Sequence, residues 1–124
     1  MSPRLYKMPP PMSEKDWQAQ VVQLAGTFGW MVQHSRPAQV GDRWMTAITG
    51  NVGFPDLVLA HRTKGVIFAE LKTETGRMAT AQTDWRDTLA GHVEWHLWRP
   101  SDLDAVMRRL SRACLLYTSD AADE

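Results

Sequence analysis

The sequence is poor in cysteine, in long apolar runs and in net charge, and each shortage excludes a class of protein. A single cysteine, Cys114, excludes an internal disulfide framework and a cysteine-based zinc site. No apolar run is long enough to cross a bilayer, and the start of the chain does not read as a secretory leader. These absences predict no membrane partner and favour a cytoplasmic location.

The two ends of the chain differ in composition from its middle. Residues 1–12, MSPRLYKMPPPM, are Pro-rich, which predicts a disordered N-terminal arm. The last eleven residues, CLLYTSDAADE (114–124), match one translation of a common transposase sequencing adapter residue for residue. We therefore predict a non-native tail at 114–124 and a single domain over 13–112. A genuine C-terminal tail is the alternative.

The formal charge depends on that tail. The whole chain carries 14 basic and 14 acidic residues. The tail holds three of the acids and no base, so residues 1–113 carry 14 basic residues against 11 acidic ones, a net charge of +3. A mildly basic domain permits a nucleic-acid partner without requiring one.

Hydrophobic periodicity and turn residues predict the order α-β-β-β-α-β-α. Residues 55–60 and 66–72 are apolar on both faces, which is typical of strands inside a covered sheet. The residues at 37–53 show turn signals and no period, so they predict a long loop. The other predicted elements are a helix from N-cap Ser13 to Gly29, strands at 30–36 and 93–99, a helix at 79–92, and a last helix from N-cap Ser101 to Leu110.

Charged residues interrupt the strand GVIFAELK, where Glu70 and Lys72 share one face. If residues 61–65 form a hairpin loop, Ala60 faces Val66 and Asp56 stands opposite Glu70. Two carboxylates opposed on a buried sheet repel each other, and burying either alone is unfavourable. A divalent cation between them relieves both problems, and oxygen ligands suit Mg²⁺ or Mn²⁺.

The ammonium group of Lys72 gives this cluster a chemical function. Close to the two acids, it could orient a water and stabilise charge that builds up on a phosphate. The cluster therefore predicts metal-assisted phosphodiester hydrolysis. The alternative is a partly buried, salt-bridged triad, which explains most Glu-x-Lys pairs in strands. The preceding Gly53-Phe54-Pro55-Asp56 and the matching register favour the hydrolytic site.

The segment GFPDLVLAHRTKGVIFAELKTETGRMATAQTDW resembles the core of the PD-(D/E)XK nuclease superfamily and, more closely, the VRR-NUC family. Pro55-Asp56 and Glu70-Leu71-Lys72 carry the signature, and Gln82 matches a glutamine typical of VRR-NUC proteins. The resemblance extends over about residues 13–110 and is greatest to small stand-alone members from phages and actinobacteria. One departure is Met78-Ala79-Thr80 in place of Leu-Ser-Pro, which moves the expected helix cap to Thr80.

The resemblance implies an α/β fold with a restriction-endonuclease-like αβββαβ core and a C-terminal helix. It implies an endo- or exonuclease that cleaves DNA with Mg²⁺ or Mn²⁺ in a bacterial or phage-infected cell, with junction or branched DNA as a candidate substrate. Asp56 and Glu70 would hold the metal, with the Leu71 carbonyl as a third ligand. Lys72 would position the attacking water, and Gln82 would join the site rather than serve as a surface helix residue.

Further residues are candidates for the edge of this site. An acid on the first helix often completes it in relatives, and Glu14 occupies that place; Glu14 could equally serve the helix dipole, and both interpretations stay open. Gln18 lies one turn further on the same face. The candidates for substrate binding are Gln18, His34, Arg36, Arg43 and Arg77.

A homodimer would enlarge the small DNA-binding face that a net charge of +3 implies. Two rival functions stay open. The first is a non-catalytic nucleic-acid-binding module on the same fold, which the presence of all three signature residues disfavours. The second is a structural or assembly protein, whose stability would ignore Mg²⁺ and a chelator.

Overall fold

The computed structural model describes residues 11–35, 38–40, 42–45 and 49–112, with the backbone alone for 38–40 and 43–45. The predicted arm at 1–12 falls almost wholly outside these residues, as does the predicted tail at 114–124. The helices are α1 (Glu14–Thr27), α2 (Thr80–Leu89), a 3₁₀ turn (Pro100–Asp102) and α3 (Leu103–Ser111). The strands are β1 (Met31–His34), β2 (Ala38–Val40), β3 (Arg43–Met45), β4 (Leu57–His61), β5 (Gly65–Leu71) and β6 (Glu94–Trp98).

The main sheet has four strands in the order β1-β4-β5-β6. β1 and β4 are antiparallel, as are β4 and β5, whereas β6 runs parallel to β5. A parallel neighbour needs a crossover connection, which α2 supplies. The predicted mixed α/β class, with a four-stranded mixed sheet and helices, is therefore present.

Helices α1 and α3 cover one face of the sheet and enclose the core with it. Ser13 caps α1 by accepting a hydrogen bond from the Asp16 amide, as predicted, and Gly29 follows the helix with a φ of +86°. Alternate residues of β4 and β5 point into this layer, so they are fully buried beside the helices. The core consists of Trp17, Val21, Ala25, Trp30, Leu57, Leu59, Ile67, Ala69, Leu71, Trp98, Val106 and Leu110.

The opposite face of the sheet lies under α2 and is less covered. None of the residues of α2 is buried. Phe54, Phe68 and Trp85 form an aromatic cluster between this helix and the sheet, with ring centroids 4.9 Å apart for Phe54 and Trp85 and 6.0 Å apart for Phe54 and Phe68. The side chains of Asp56 and Glu70 belong to this second face, because they alternate with core residues of their strands.

An ion pair between the buried Arg109 and the half-buried Glu94 holds α3 against the core face of the sheet. The Arg109 guanidinium donates two hydrogen bonds to Glu94, 2.6 and 2.8 Å long, and lies over the Trp30 ring. Burial alone would raise the pKa of Glu94, but the hydrogen bonds from His96 and Arg109 outweigh it and lower that pKa to about 2. Lys64 adds hydrogen bonds to the Phe28 and Leu110 carbonyls at the ends of α1 and α3.

The structure corrects three details of the sequence prediction. The predicted loop at 37–53 contains the antiparallel hairpin of β2 and β3, whose strands have only three residues each and therefore leave no readable period. Ser101 does not cap α3, because a 3₁₀ turn precedes the helix and Asp102 takes the cap position. Ala79 rather than Thr80 occupies the N-cap of α2, and the helix ends at Leu89 instead of residue 92.

Candidate active site

Asp56 and Glu70 face each other where β4 begins and β5 ends. The register pairs Leu57 with Ala69 and Ala60 with Val66, as the predicted hairpin requires, so Asp56 extends β4 to the level of Glu70. The Asp56 carbonyl accepts a hydrogen bond from the Ser35 amide, 3.1 Å away. Its carboxylate oxygen Oδ2 accepts another from the Leu71 amide at 2.8 Å. The backbone and the side chain of Asp56 are therefore both held at this corner of the sheet.

Glu70 is a buried acid, with only 1% of its surface exposed. Burial raises its pKa most, followed by a side-chain hydrogen bond with Asp56 and the negative charge of Asp56. Together with the smaller effect of Glu14, these causes outweigh the opposing charge of Lys72 and raise the pKa of Glu70 to about 9. At neutral pH the Glu70 carboxyl is therefore protonated where it faces Asp56.

Gln82 holds the Glu70 carboxyl from α2. Its Nε2 group donates to Glu70 Oε1 at 3.0 Å, while its Oε1 accepts from the Ala79 amide at 2.8 Å. Since the Ala79 amide must donate, the amide group of Gln82 has only one orientation that satisfies both ends. Ala79 has no polar side chain that could cap the helix. Of the two side-chain hydrogen bonds of a capping box, only the one from the Ala79 amide to Gln82 is therefore made.

Lys72 follows β5 directly, close enough for its charge to act on Glu70. Its backbone amide donates to the Trp98 carbonyl, 3.1 Å away, which continues the β5–β6 pairing past the end of the strand. The Lys72 charge lowers the pKa of Glu70. Among the described residues, no carboxylate lies within the 4.0 Å of a salt bridge to Lys72. The described cluster is therefore not a salt-bridged triad.

Arg99 is a residue near the site that the sequence analysis missed. Its NH1 group donates to three carbonyls of the loop that follows Lys72, those of Thr73, Glu74 and Gly76, at 2.5, 3.3 and 2.7 Å. The Glu74 carboxylate in turn accepts a hydrogen bond from the Ser101 amide. An arginine at the end of a strand gives no sequence signal for such contacts, because they depend on β6 lying beside β5 in the folded sheet.

Three predicted residues lie together around the start of α1. The Gln18 amide group donates to Glu14 Oε2 across one helical turn, 3.4 Å away. Gln18 and His34 line one groove of about 190 Å³ with Lys15, Ala19 and Val22. Glu14 is exposed, and its charge contributes to the raised pKa of Glu70. Glu14 is thus close enough to influence the acid pair, and its role as a metal ligand stays a prediction.

Of the remaining predicted basic residues, the structure describes the side chain of Arg77 alone. Arg77 is exposed and forms no ion pair with any residue that the structure describes. Arg36 and the side chain of Arg43 lie outside the described residues. Their contact with substrate phosphates therefore stays a prediction.

The donor set at this corner is compatible with a hard divalent cation. In the described part of the chain, no group of three or more His, Cys, Asp or Glu side chains is placed to hold a metal. Mg²⁺, however, commonly uses one or two protein carboxylates and keeps several waters. Asp56 and Glu70 supply two carboxylates, and no basic group of the described residues lies within ion-pair distance of the buried Glu70.

Comparison with known proteins bears on the whole domain. A search of curated proteins and a search of solved structures found no match. No helix in the described part of the chain is long and apolar enough to span a bilayer. The family model of the VRR-NUC domain, a nuclease-type domain, matches residues 14–99 of the 124. This match includes the acid pair, Lys72 and Gln82, and it gives the chain a nuclease-like function with DNA as the implied substrate. The chain belongs to the VRR-NUC family.

Proposed function

We propose that this chain hydrolyses DNA phosphodiester bonds with Mg²⁺ or Mn²⁺, on an αβββαβ core of the PD-(D/E)XK type followed by a C-terminal helix. The observation that carries the proposal is the buried Glu70 carboxyl, which faces Asp56 and has no basic group within ion-pair distance in the described structure. Burying an unpaired acid is unfavourable, so its retention favours a function that needs it.

The proposed roles follow from the contacts of each side chain. Asp56 and Glu70, with the Leu71 carbonyl, would hold the cation. When bound, the cation supplies positive charge to both carboxylates and polarises the phosphate. Lys72 orients the attacking water and stabilises negative charge on the phosphate, because its ammonium is not engaged by a described carboxylate. Gln82 acts as a positioning residue that keeps the Glu70 carboxyl turned towards Asp56.

Cleavage assays test this proposal directly. The full chain is incubated with labelled single-stranded, duplex, flap and four-way-junction DNA, in Mg²⁺, in Mn²⁺ or in EDTA. We expect cleavage that requires the metal and falls by at least about a hundredfold in Lys72→Ala. Arg62→Ala, in the exposed turn at the opposite end of β4, is the matched control and should cleave normally.

The same assay separates the competing functions. DNA binding by a folded protein, without cleavage in any metal, would favour the non-catalytic binding module and overturn the proposal. A chain that neither binds DNA nor responds to Mg²⁺ would favour an assembly protein. Faster cleavage of the four-way junction or flap than of the duplex would support selectivity for branched DNA.

We also propose that the chain is a homodimer. A row of apolar side chains crosses the sheet on the face that α2 leaves partly open: Met31 pairs with Ala60, and Ala60 pairs with Val66. Met31 is 77% exposed and Val66 49% exposed. Exposed apolar rows of this kind often mark interfaces, so covering it would favour association. Light scattering checks the mass in solution, and a monomeric mass would contradict the dimer.

A further inference from the structure

A groove runs between the loop at 49–54 and helix α2. It consists of two adjoining depressions of about 470 and 340 Å³, which share Asn51 and Trp85. This size is typical of sites for small organic groups. Phe54 and Ser35 line one depression, and Asp84 and Thr88 line the other.

The walls of the groove are held in place. The Trp85 indole donates to the Val52 carbonyl at 3.0 Å, and the Phe54 ring meets the Trp85 ring edge to face at 90°. Gly53 has a φ of +90°, and a Cβ atom there would lie 2.6 Å from the Ala81 backbone. Only glycine therefore lets the loop approach α2 this closely, so the groove is built into the fold rather than formed by a loose loop.

The groove adjoins the acid pair through two elements. Phe54 precedes Asp56 by two residues, and Ser35 donates its amide hydrogen to the Asp56 carbonyl. On the helix, Trp85 follows Gln82 by three residues and therefore lies on the same side of α2. The Phe54 ring also contacts Phe68, which shares a sheet face with Glu70. A ligand in the groove would thus lie next to the proposed reacting phosphate.

The chemistry of the lining selects a neutral, flat group. No described residue that lines the groove is a lysine or an arginine, and the Asp84 carboxylate would repel a phosphate. The lining instead offers two aromatic rings, one of them on Phe54 with 38% of its surface exposed, and polar groups on Asn51, Asp84 and Thr88. Stacking surfaces combined with hydrogen-bonding groups are what nucleic-acid-binding proteins use to hold bases.

We infer that the groove of Asn51, Phe54, Asp84 and Trp85 binds an unpaired nucleobase next to the phosphodiester bond to be hydrolysed. This inference rests on the proposed nuclease function and adds a substrate class to it. The faces of a base inside a duplex are covered by its neighbours, so only an unpaired or extruded base can stack on Phe54 or Trp85. The substrate is therefore DNA with unpaired bases near the cut, such as a flap, a frayed junction or a single strand.

Photo-crosslinking tests the location of the base on the unaltered protein. A short single strand with 5-iododeoxyuridine at successive positions is irradiated with the full chain in EDTA, where no cleavage occurs. Mass spectrometry then maps the attached peptide. We expect crosslinks to Phe54 or Trp85 from the single strand and none from the same strand in a fully paired duplex. Crosslinks only outside the groove, or none at all, would overturn the inference.

Binding measurements with a matched pair of variants test the energetics. Phe54→Leu keeps an apolar side chain but removes the aromatic face, and Phe28→Leu makes the same change at the end of α1. Fluorescence anisotropy in EDTA should show about tenfold weaker binding of the single strand by Phe54→Leu, with duplex binding unchanged. An equal loss for both DNA forms, or for both variants, would contradict the inference.

The outcome of these tests is independent of cleavage. Crosslinks in the groove together with an absence of cleavage in any metal would leave base binding intact and remove the nuclease proposal. Metal-dependent cleavage with no crosslink in the groove would support the nuclease proposal and overturn base binding in the groove.

Discussion

Glu70 is an acid that the fold keeps protonated in the absence of a cation. Burial and the facing Asp56 raise its pKa to about 9 from an ordinary value of 4.5. Between those two values the native protein binds a proton that the unfolded chain has released. The contribution of Glu70 to the free energy of unfolding therefore falls as the pH rises from about 4.5 to about 9 in metal-free protein.

Replacing this acid with its neutral isostere should remove that pH dependence. In EDTA, we expect Glu70→Gln to unfold several degrees above the unaltered protein at about pH 8.5, and the difference should shrink towards about pH 5. Thermal unfolding followed by circular dichroism measures both midpoints. Asp104→Asn, an exposed acid of α3, is the control. A Glu70→Gln variant that is less stable than the unaltered protein at high pH would contradict a raised pKa.

Gln82 has two contacts that should have separable effects. Gln82→Ala removes the acceptor for the Ala79 amide, which should lower the free energy of unfolding by roughly 0.5–2 kcal/mol. It also removes the donor that orients Glu70, which should slow cleavage by about 10–100-fold under saturating Mg²⁺.

The measurement for Gln82 is the cleavage rate at saturating DNA beside the chemical unfolding curve. Gln23→Ala on the exposed side of α1 is the matched control for loss of a glutamine from a helix. A variant with lowered stability and an unchanged rate would show that Gln82 serves only the helix.

The residues at the centre of the site could be predicted from sequence, because a short hairpin has few possible registers. Once residues 61–65 are a turn, Asp56 and Glu70 must meet, and the structure has that register. The double engagement of Gln82 could not be predicted in the same way. It depends on α2 beginning at Thr80 with an alanine at its cap, which leaves the Ala79 amide without another side-chain acceptor.

At the scale of elements, the loop after β5 is the segment whose conformation matters most to Lys72. It is held from a neighbouring strand end by Arg99, whose NH1 nitrogen donates to three carbonyls of the loop. A lysine side chain ends one bond short of the NH1 position, so its ammonium cannot reach the three acceptors in the same geometry.

Arg99→Lys should therefore loosen the loop while preserving the charge. We expect the cleavage rate to fall by about tenfold or more, with a much smaller change in the apparent affinity for DNA, because Lys72 would be misplaced rather than removed. Steady-state kinetics separates kcat from KM. Arg108→Lys, on the exposed side of α3, should leave both unchanged. Equal losses in the two variants would contradict a positioning role for Arg99.

Long helices and strands with a clear hydrophobic pattern could be predicted from the sequence, whereas short strands and strands with apolar residues on both faces could not be predicted in full. The helix pattern of α1 and the apolar runs of β4 and β5 gave the right types and order. The hairpin of β2 and β3 was not predicted, because strands of three residues are too short to show a hydrophobic periodicity. Around β6, Val93, Trp95 and Leu97 alternate along the sequence with Glu94, His96 and Trp98, yet Trp98 is the buried residue. The core helices lie on the Trp98 side, so tertiary packing overrode the pattern.

At the scale of the whole molecule, the hydrophobic core and the candidate active site lie on opposite faces of one sheet. The helices α1 and α3 and the buried core lie on one face. The acid pair, Gln82 and the aromatic groove lie on the other, where α2 covers the sheet only in part. A fold of this kind can hold an unfavourable acid pair because its hydrophobic core lies on the other face. The separation of the two faces follows from the alternation of residues along β4 and β5.

The most direct test of the central claim is a calorimetric titration of the metal-free protein with Mn²⁺ near pH 7.5, repeated in buffers of different ionisation enthalpy. Because the pKa of Glu70 is about 9, a cation held by Glu70 and Asp56 must displace the proton that Glu70 carries. The account predicts saturable binding with release of about one proton per ion, and neither binding nor release in Glu70→Gln. Binding of Mn²⁺ without proton release, or binding that is the same in Glu70→Gln, would contradict a cation site at this acid pair.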